Sequence, residues 1–196
     1  MMSYRISGVI LAGGDNKRFG GITKANVVFG GVTIVSRIVS VMEDLFSEII
    51  IVTSKHEEFR EYNNHKIVTD EYLKAGPLGG IHAALKSSSE DAIFVIAGDM
   101  PFPDKKIINE QITEFSKGEH DIIIPMIDQL IEPLHAIYSK TILTDLEKFL
   151  SVRQNRAVRD FFKEVNVGYL RISDTDKSRK AFTNINSASD LANINL

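Results

Sequence analysis

The chain has 196 residues, 43% hydrophobic and 25% charged, which is enough for one well-buried α/β domain and ordinary for a soluble globular protein. Its 23 basic and 26 acidic residues leave a net charge of −3, so there is no global pull towards nucleic acid or membrane and any anion site has to be local. With no cysteine, disulfides, thiolate catalysis and cysteine-based zinc sites are excluded, and no apolar run reaches membrane-spanning length.

Met1-Met2-Ser3-Tyr4-Arg5 leads straight into the first apolar run and leaves no room for a secretory signal, so a cytoplasmic location is expected. Ile6 to Leu11 reads as a buried first strand. It runs into Ala12-Gly13-Gly14-Asp15-Asn16-Lys17-Arg18-Phe19-Gly20-Gly21-Ile22-Thr23-Lys24, where four glycines are mixed with Lys17, Arg18 and Lys24. Glycines let backbone curl round a ligand, and cations at the end of a strand suit a polyphosphate. The spacing fits neither a dinucleotide fingerprint, G-x-G-x-x-G, nor a Walker A loop, because Gly21 follows Gly20 and Ala25 follows Lys24.

Thr33 to Phe46 carries Ile34, Ile38, Val41 and Leu45 at helical spacing, with Thr33 as amino cap. Strands are expected at Ser47–Thr53 and Lys66–Thr69, then a helix over Leu78–Lys86 after Gly76-Pro77, then a strand at Ala92–Ala97. Asp104–Lys117 reads as a helix and Asp121–Pro125 as a strand, and Leu134–Tyr138 as a strand in antiparallel sense. Lys140–Leu150 and Arg156–Glu164 look helical, Val167–Ile172 is a last strand, and Ala188–Ile194 a closing helix. Asp174–Arg179 is charged and aperiodic and reads as a mobile surface loop. Strand and helix alternate with short connections and no repeat or linker, so residues 1–196 are expected to form a single α/β domain.

Two acids fall at predicted strand ends. Asp99 follows Ala92–Ala97 in Gly98-Asp99-Met100-Pro101, where a carboxylate can take Mg²⁺ brought by a triphosphate, or alternatively cap the next helix. Asp70 ends Ile67-Val68-Thr69 and is a candidate contact to the nucleotide's ribose or base, a second metal ligand through water, or an amino cap for Glu71 and Tyr72. Gly76-Pro77-Leu78-Gly79-Gly80 follows, permitting close backbone approach to a base or serving helix entry. The five histidines, His56, His65, His82, His120 and His135, have no metal-site spacing, and His135 on its apolar segment reads as a satisfied core or edge histidine.

The first loop resembles L-A-G-G-x-S-x-R-F/M-G-x-D-K of the nucleotidyltransferases, and the chain from Gly8 to Leu191 is similar to the molybdenum cofactor guanylyltransferases. The likeness includes Gly76-Pro77-Leu78-Gly79-Gly80-Ile81, Gly98-Asp99-Met100-Pro101-Phe102, Pro133-Leu134-His135-Ala136-Ile137-Tyr138 and Phe182-Thr183-Asn184-Ile185-Asn186-Ser187. It implies a Rossmann-like three-layer α/β sandwich with a mostly parallel sheet. It implies transfer of GMP from GTP to the phosphate of a molybdenum-bearing molybdopterin, with Mg²⁺ as cofactor and hand-over to molybdoenzyme maturation proteins. By resemblance Leu11, Ala12, Gly13, Gly14, Asp70 and Gly79 contact the nucleotide, Lys24 and Arg18 the triphosphate, and Asp99 the metal. Asn184 and Asn186 fall on the pterin side. Asn16 stands where Ser is usual, Thr23 where Asp is usual, and Val52 where some members have Asn. A cytidylyltransferase, another small-molecule nucleotidyltransferase and a non-catalytic nucleotide-binding relative remain as alternatives.

Overall fold

The computed structural model describes residues 5–13, 22–72, 75–152, 157–187 and 189–190. In chain order the elements are β1 (Ile6–Leu11), β2 (Val28–Phe29), β3 (Val32–Thr33), α1 (Ile34–Met42), β4 (Ile49–Val52), β5 (Lys66–Val68), α2 (Pro77–Ser87) and β6 (Ala92–Ala97). They continue with α3 (Lys105–Phe115), β7 (Ile122–Ile127), β8 (Leu130–Ile131), β9 (His135–Ser139), α4 (Leu143–Val152), α5 (Val158–Phe161), β10 (Val167–Arg171) and α6 (Asp176–Ala181).

The main sheet has the order β10-β7-β9-β6-β1-β4-β5, with β8 paired to β7. β1 lies parallel to both β4 and β6, in the register Ile10 to Ile51 and Ile10 to Ile96. β9 runs antiparallel to both β6 and β7, as its sequence suggests. Alternate side chains of each strand feed two cores. Ile10, Ile51, Phe94 and Ile96 pack under α1 and α3. Val9, Ile50, Ile93 and Val95 pack under α2 and α4. This is the expected three-layer sandwich, and strands buried on both faces explain the unbroken apolar runs. Each fully buried Ile contributes roughly 1.5–3 kcal/mol.

Helix starts follow local chemistry. Thr33 Oγ1 accepts from Ser36 N, and Asp104 caps α3 by accepting from Lys106 N and Ile107 N. Asp99 is thus relieved of the capping role that its position also allowed.

Asp174–Arg179, expected as a mobile loop, corrects to the capped start of α6. The Thr175 side chain accepts from Ser178 N, Thr175 N donates to Ser178 Oγ, and Ser178 and Ala181 are buried. A helix of six residues is too short to display periodicity, so only its cap could have revealed it. Of the expected Arg156–Glu164 helix, the described residues form Val158–Phe161, with Arg156 outside them, and Lys140–Ile142 forms a 3₁₀ turn ahead of α4. The β2–β3 hairpin and the 3₁₀ segment His56–Tyr62 were not anticipated. The closing helix falls outside the described residues apart from Ser189 and Asp190.

Candidate functional site

The carboxyl ends of β1, β4, β5 and β6 open into one cavity of about 400 Å³. A doubly wound sheet leaves such a crevice where successive strands are added on opposite sides of β1, and the volume is in the range of small-molecule sites. Leu11, Ala12 and Gly13 line it from β1, Val52, Thr53 and Ser54 from β4, Thr69 and Asp70 from β5, and Gly98 and Asp99 from β6. These walls are tied by main-chain bonds: Ala12 N donates to Val52 O at 2.9 Å, Thr53 N to Val68 O at 2.8 Å, and Gly98 N to Leu11 O at 2.9 Å.

Close approach at Gly98 leaves little room for a side chain. A Cβ there would sit 3.0 Å from Leu11 O and 3.1 Å from Ala25 Cβ. That contact delivers Asp99 to the first loop. Lys24 Nζ donates to Asp99 Oδ2 at 3.0 Å and to Asn186 Oδ1 at 2.8 Å. Ile185 N donates to Asp99 O at 2.8 Å, which brings the Asn184-Ile185-Asn186 segment to the same place. Lys24, Asp99 and Asn186 therefore converge from three widely separated parts of the chain. Asn184 and Asn186 are not on the cavity lining, and Asn186 joins the site through the lysine.

At the other end of the cavity Asp70 is half-buried, and its Oδ1 has no hydrogen-bond partner among the described residues. Burial pushes its carboxyl above the ordinary range, with the nearby His82 acting in the opposite sense. Glu71 and Tyr72 are not helical, so Asp70 is not the amino cap of a helix containing them. Gly79 does not line the cavity, whereas Gly76, Pro77 and Gly80 do. A Cβ on Gly79 would come 3.3 Å from Asp70 Cγ and 3.1 Å from Tyr72 O, so this glycine seats the Asp70 loop against α2. Gly14 and Arg18 lie outside the described residues.

His135 is fully buried, its Nδ1 3.0 Å from Gln111 Oε1 and its ring edge-on to Phe94 and Phe182. Burial holds its pKa down to about 4, so it stays a neutral core residue as its apolar surroundings suggested.

Thr23, which precedes Lys24, is buried, and its N donates to Glu58 Oε2 at 2.9 Å. An acid here would lie close to the Glu58 carboxylate, which accounts for an uncharged residue at this position. Glu58 was missed by sequence reasoning, because it lies in the charged run His56-Glu57-Glu58-Phe59-Arg60-Glu61.

Among the described residues no cluster of three or more His, Cys, Asp or Glu could hold a metal ion. A single carboxylate beside a phosphate site suits a hard divalent cation that takes its remaining ligands from phosphate and water, and Asp99 fits that donor set. Among the described residues no helix is long and apolar enough to cross a membrane.

Residues 8–167 match the family described as MobA-like NTP transferase domain. The chain belongs to that family. It is 35% identical over 198 residues to the probable molybdenum cofactor guanylyltransferase of Natranaerobius thermophilus, covering 97% of this chain and 95% of the relative. The probable molybdenum cofactor guanylyltransferase of Clostridium perfringens strain SM101 is 36% identical over 80% of this chain and 77% of the relative. The crystal structure of molybdopterin-guanine dinucleotide biosynthesis protein A from Archaeoglobus fulgidus superposes with a TM-score of 0.79 at 25% identity, covering 95% of each chain. As a MobA-like NTP transferase the chain is a nucleotidyltransferase, a class of enzyme that generally uses a divalent metal. The matched region contains Lys24, Asp70 and Asp99 and stops short of Asn184 and Asn186.

Proposed function

We propose that residues 1–196 act as one domain that transfers GMP from GTP to the phosphate of molybdenum-bearing molybdopterin, releasing pyrophosphate. The observation that carries the chemistry is the Lys24–Asp99 pair at 3.0 Å, cation and carboxylate side by side where the carboxyl ends of β1 and β6 meet. The relatives' names supply the acceptor.

The reaction forms a bond between an acceptor phosphate oxygen and the α-phosphorus and breaks the bond from that phosphorus to the bridging oxygen of pyrophosphate. A phosphate monoester is largely ionised near neutral pH, so no general base is required. The protein's work is positioning and charge stabilisation. The main chain of Leu11, Ala12 and Gly13 holds the nucleotide against β1, and Gly14, next in sequence, shares that role. Lys24, with Arg18 from the same loop, stabilises charge on the leaving pyrophosphate. Asp99 would hold Mg²⁺, which supplies charge neutralisation at the phosphates when bound. For Lys24 to serve the triphosphate it exchanges Asp99 and Asn186 for phosphate oxygens, which returns a carboxylate to the cation and an amide to the acceptor side.

The unpaired Oδ1 of Asp70 supports guanine at the base end. A carboxylate there can accept both the N1–H and the N2–H of guanine, whereas cytosine offers one exocyclic amine. Soluble molybdopterin and GTP as substrates, a cytoplasmic location, hand-over to molybdoenzyme maturation proteins, and no nucleic-acid or membrane partner complete the reading.

The test is purified protein with Mg²⁺, molybdenum-loaded molybdopterin and either GTP or CTP. The guanine dinucleotide and stoichiometric pyrophosphate are expected from GTP alone. Dinucleotide from CTP would transfer the assignment to cytidylyl transfer, and nucleotide binding without any product would make the protein a non-catalytic relative.

A further inference from the structure

Lys24 stands on a turn with little hold on its own shape. The 3₁₀ turn Lys24–Asn26 has three residues, closed by Asn26 N to Thr23 O at 2.8 Å and Val27 N to Lys24 O at 3.0 Å, with no side-chain cap from Thr23. So short a turn has no cooperative stability, and a lysine side chain on a loose base loses its aim.

Ala25 is buried in the core, and the polar hold on the turn comes from Glu58, in the segment His56–Tyr62 that follows the β4 wall. Its Oε2 accepts from Thr23 N at 2.9 Å, and its main-chain oxygen accepts from Asn26 Nδ2 at 3.0 Å. Thr23 and Asn26 bracket Lys24, so Glu58 grips the turn on both sides of the lysine. The grip is itself anchored, because Phe59 is fully buried and Lys55 Nζ donates to Glu58 Oε1 at 2.7 Å.

We propose that Glu58 is the positioning residue for Lys24, holding the Thr23–Asn26 turn from the β4 side so that the lysine is directed at Asp99 and the phosphate end of the cavity. This rests on the proposed phosphate role of Lys24. The grip does not vary near neutrality. Burial pushes the Glu58 carboxyl up, but Lys55, Thr23 and Asn26 together draw it down to about 2.

A merely structural brace would cost stability alone, whereas a positioning residue acts through the lysine. The experiment therefore places Glu58→Ala and Glu58→Gln in the native protein and in a Lys24→Ala background, with two readouts. Without ligand, acetylation of the Lys24 amine is followed by mass spectrometry, with the remote Lys86 as internal reference. With ligand, calorimetry measures binding of inorganic tripolyphosphate and of Mg·GTP.

Glu58→Ala is expected to accelerate Lys24 acetylation severalfold and to weaken tripolyphosphate binding about tenfold in the native protein, yet less than about twofold beside Lys24→Ala. Glu58→Gln keeps a carbonyl for Thr23 N and is expected to lose less. Equal losses in both backgrounds, or unchanged Lys24 acetylation in a folded Glu58→Ala protein, would overturn the proposal. If the native protein binds neither tripolyphosphate nor GTP, the phosphate reading of the site fails, while the acetylation readout still decides whether Glu58 directs the lysine.

Discussion

Asp70 keeps a buried carboxylate oxygen without a partner, and its carboxyl is raised by burial. For an acid raised in the folded state, ionisation opposes folding, so above its folded pKa the group costs stability. Asp70→Asn is expected to remove a penalty on the order of 1 kcal/mol and lift Tm by about 2–4 °C in a thermal scan at pH 7. The same variant should lose about tenfold or more in GTP affinity, since the ligand's N–H groups lose their charged acceptor. A fall in both Tm and affinity would contradict this account. Lys24→Ala and Asp99→Ala are expected to fold and to reduce turnover by about a hundredfold or more, read as pyrophosphate release. The positions of Asp70 and Asp99 were legible because each stands two residues beyond the end of a strand, so the sheet fixes where they stand. Glu58 was not, because its partner Thr23 is 35 residues away in sequence and nothing local distinguishes it from a solvated acid.

Elements were legible where they were long. The runs at Ala92–Ala97 and Asp104–Lys117 fix β6 and α3 to within two residues. α6 escaped because six residues make less than two turns, and the β2–β3 hairpin because two-residue strands carry no period. The α6 cap is nevertheless testable. Thr175→Ala removes the acceptor for Ser178 N and is expected to cost about 1 kcal/mol, visible as a Tm lower by about 2–4 °C. At the junction of β6 with the first loop, Gly98→Ala would force a Cβ against Leu11 O and Ala25 Cβ. Overpacking of this kind costs about 1–3 kcal/mol, and here it also displaces Asp99 from Lys24. Turnover is therefore expected to fall further than stability; a variant with native kcat and reduced Tm would show that the contact only packs.

For the whole molecule, acid sensitivity has a definite order. His135 titrates near 6.5 when unfolded and is held at about 4 in the fold. Its neutral burial therefore stabilises the fold fully above pH 6.5 and progressively less as pH falls towards 4, because only the unfolded chain takes the proton. Glu48 and Glu58, both drawn down to about 2 against burial, contribute above about pH 4.5 and fail below it. Tm measured from pH 8 to 3 should bend first below about 6.5 and more steeply below about 4.5. The first bend should be shallower in His135→Leu, and an identical profile would remove His135 from the explanation.

Among the described residues β9 is the one long strand that runs against both its neighbours, so its beginning rather than its end lies at the cavity edge. Leu134, just ahead of it, is the sole lining residue of the cavity beyond Asp99 in sequence among those described. The reversed strand thus forms a seam: β6, β1, β4 and β5 lie on one side, β7 and β10 on the other. A chain divided in this way can alter what it builds on without altering what it builds with. Exchange of everything after Asp99 with a relative of different acceptor preference should leave the nucleotide requirement where it was.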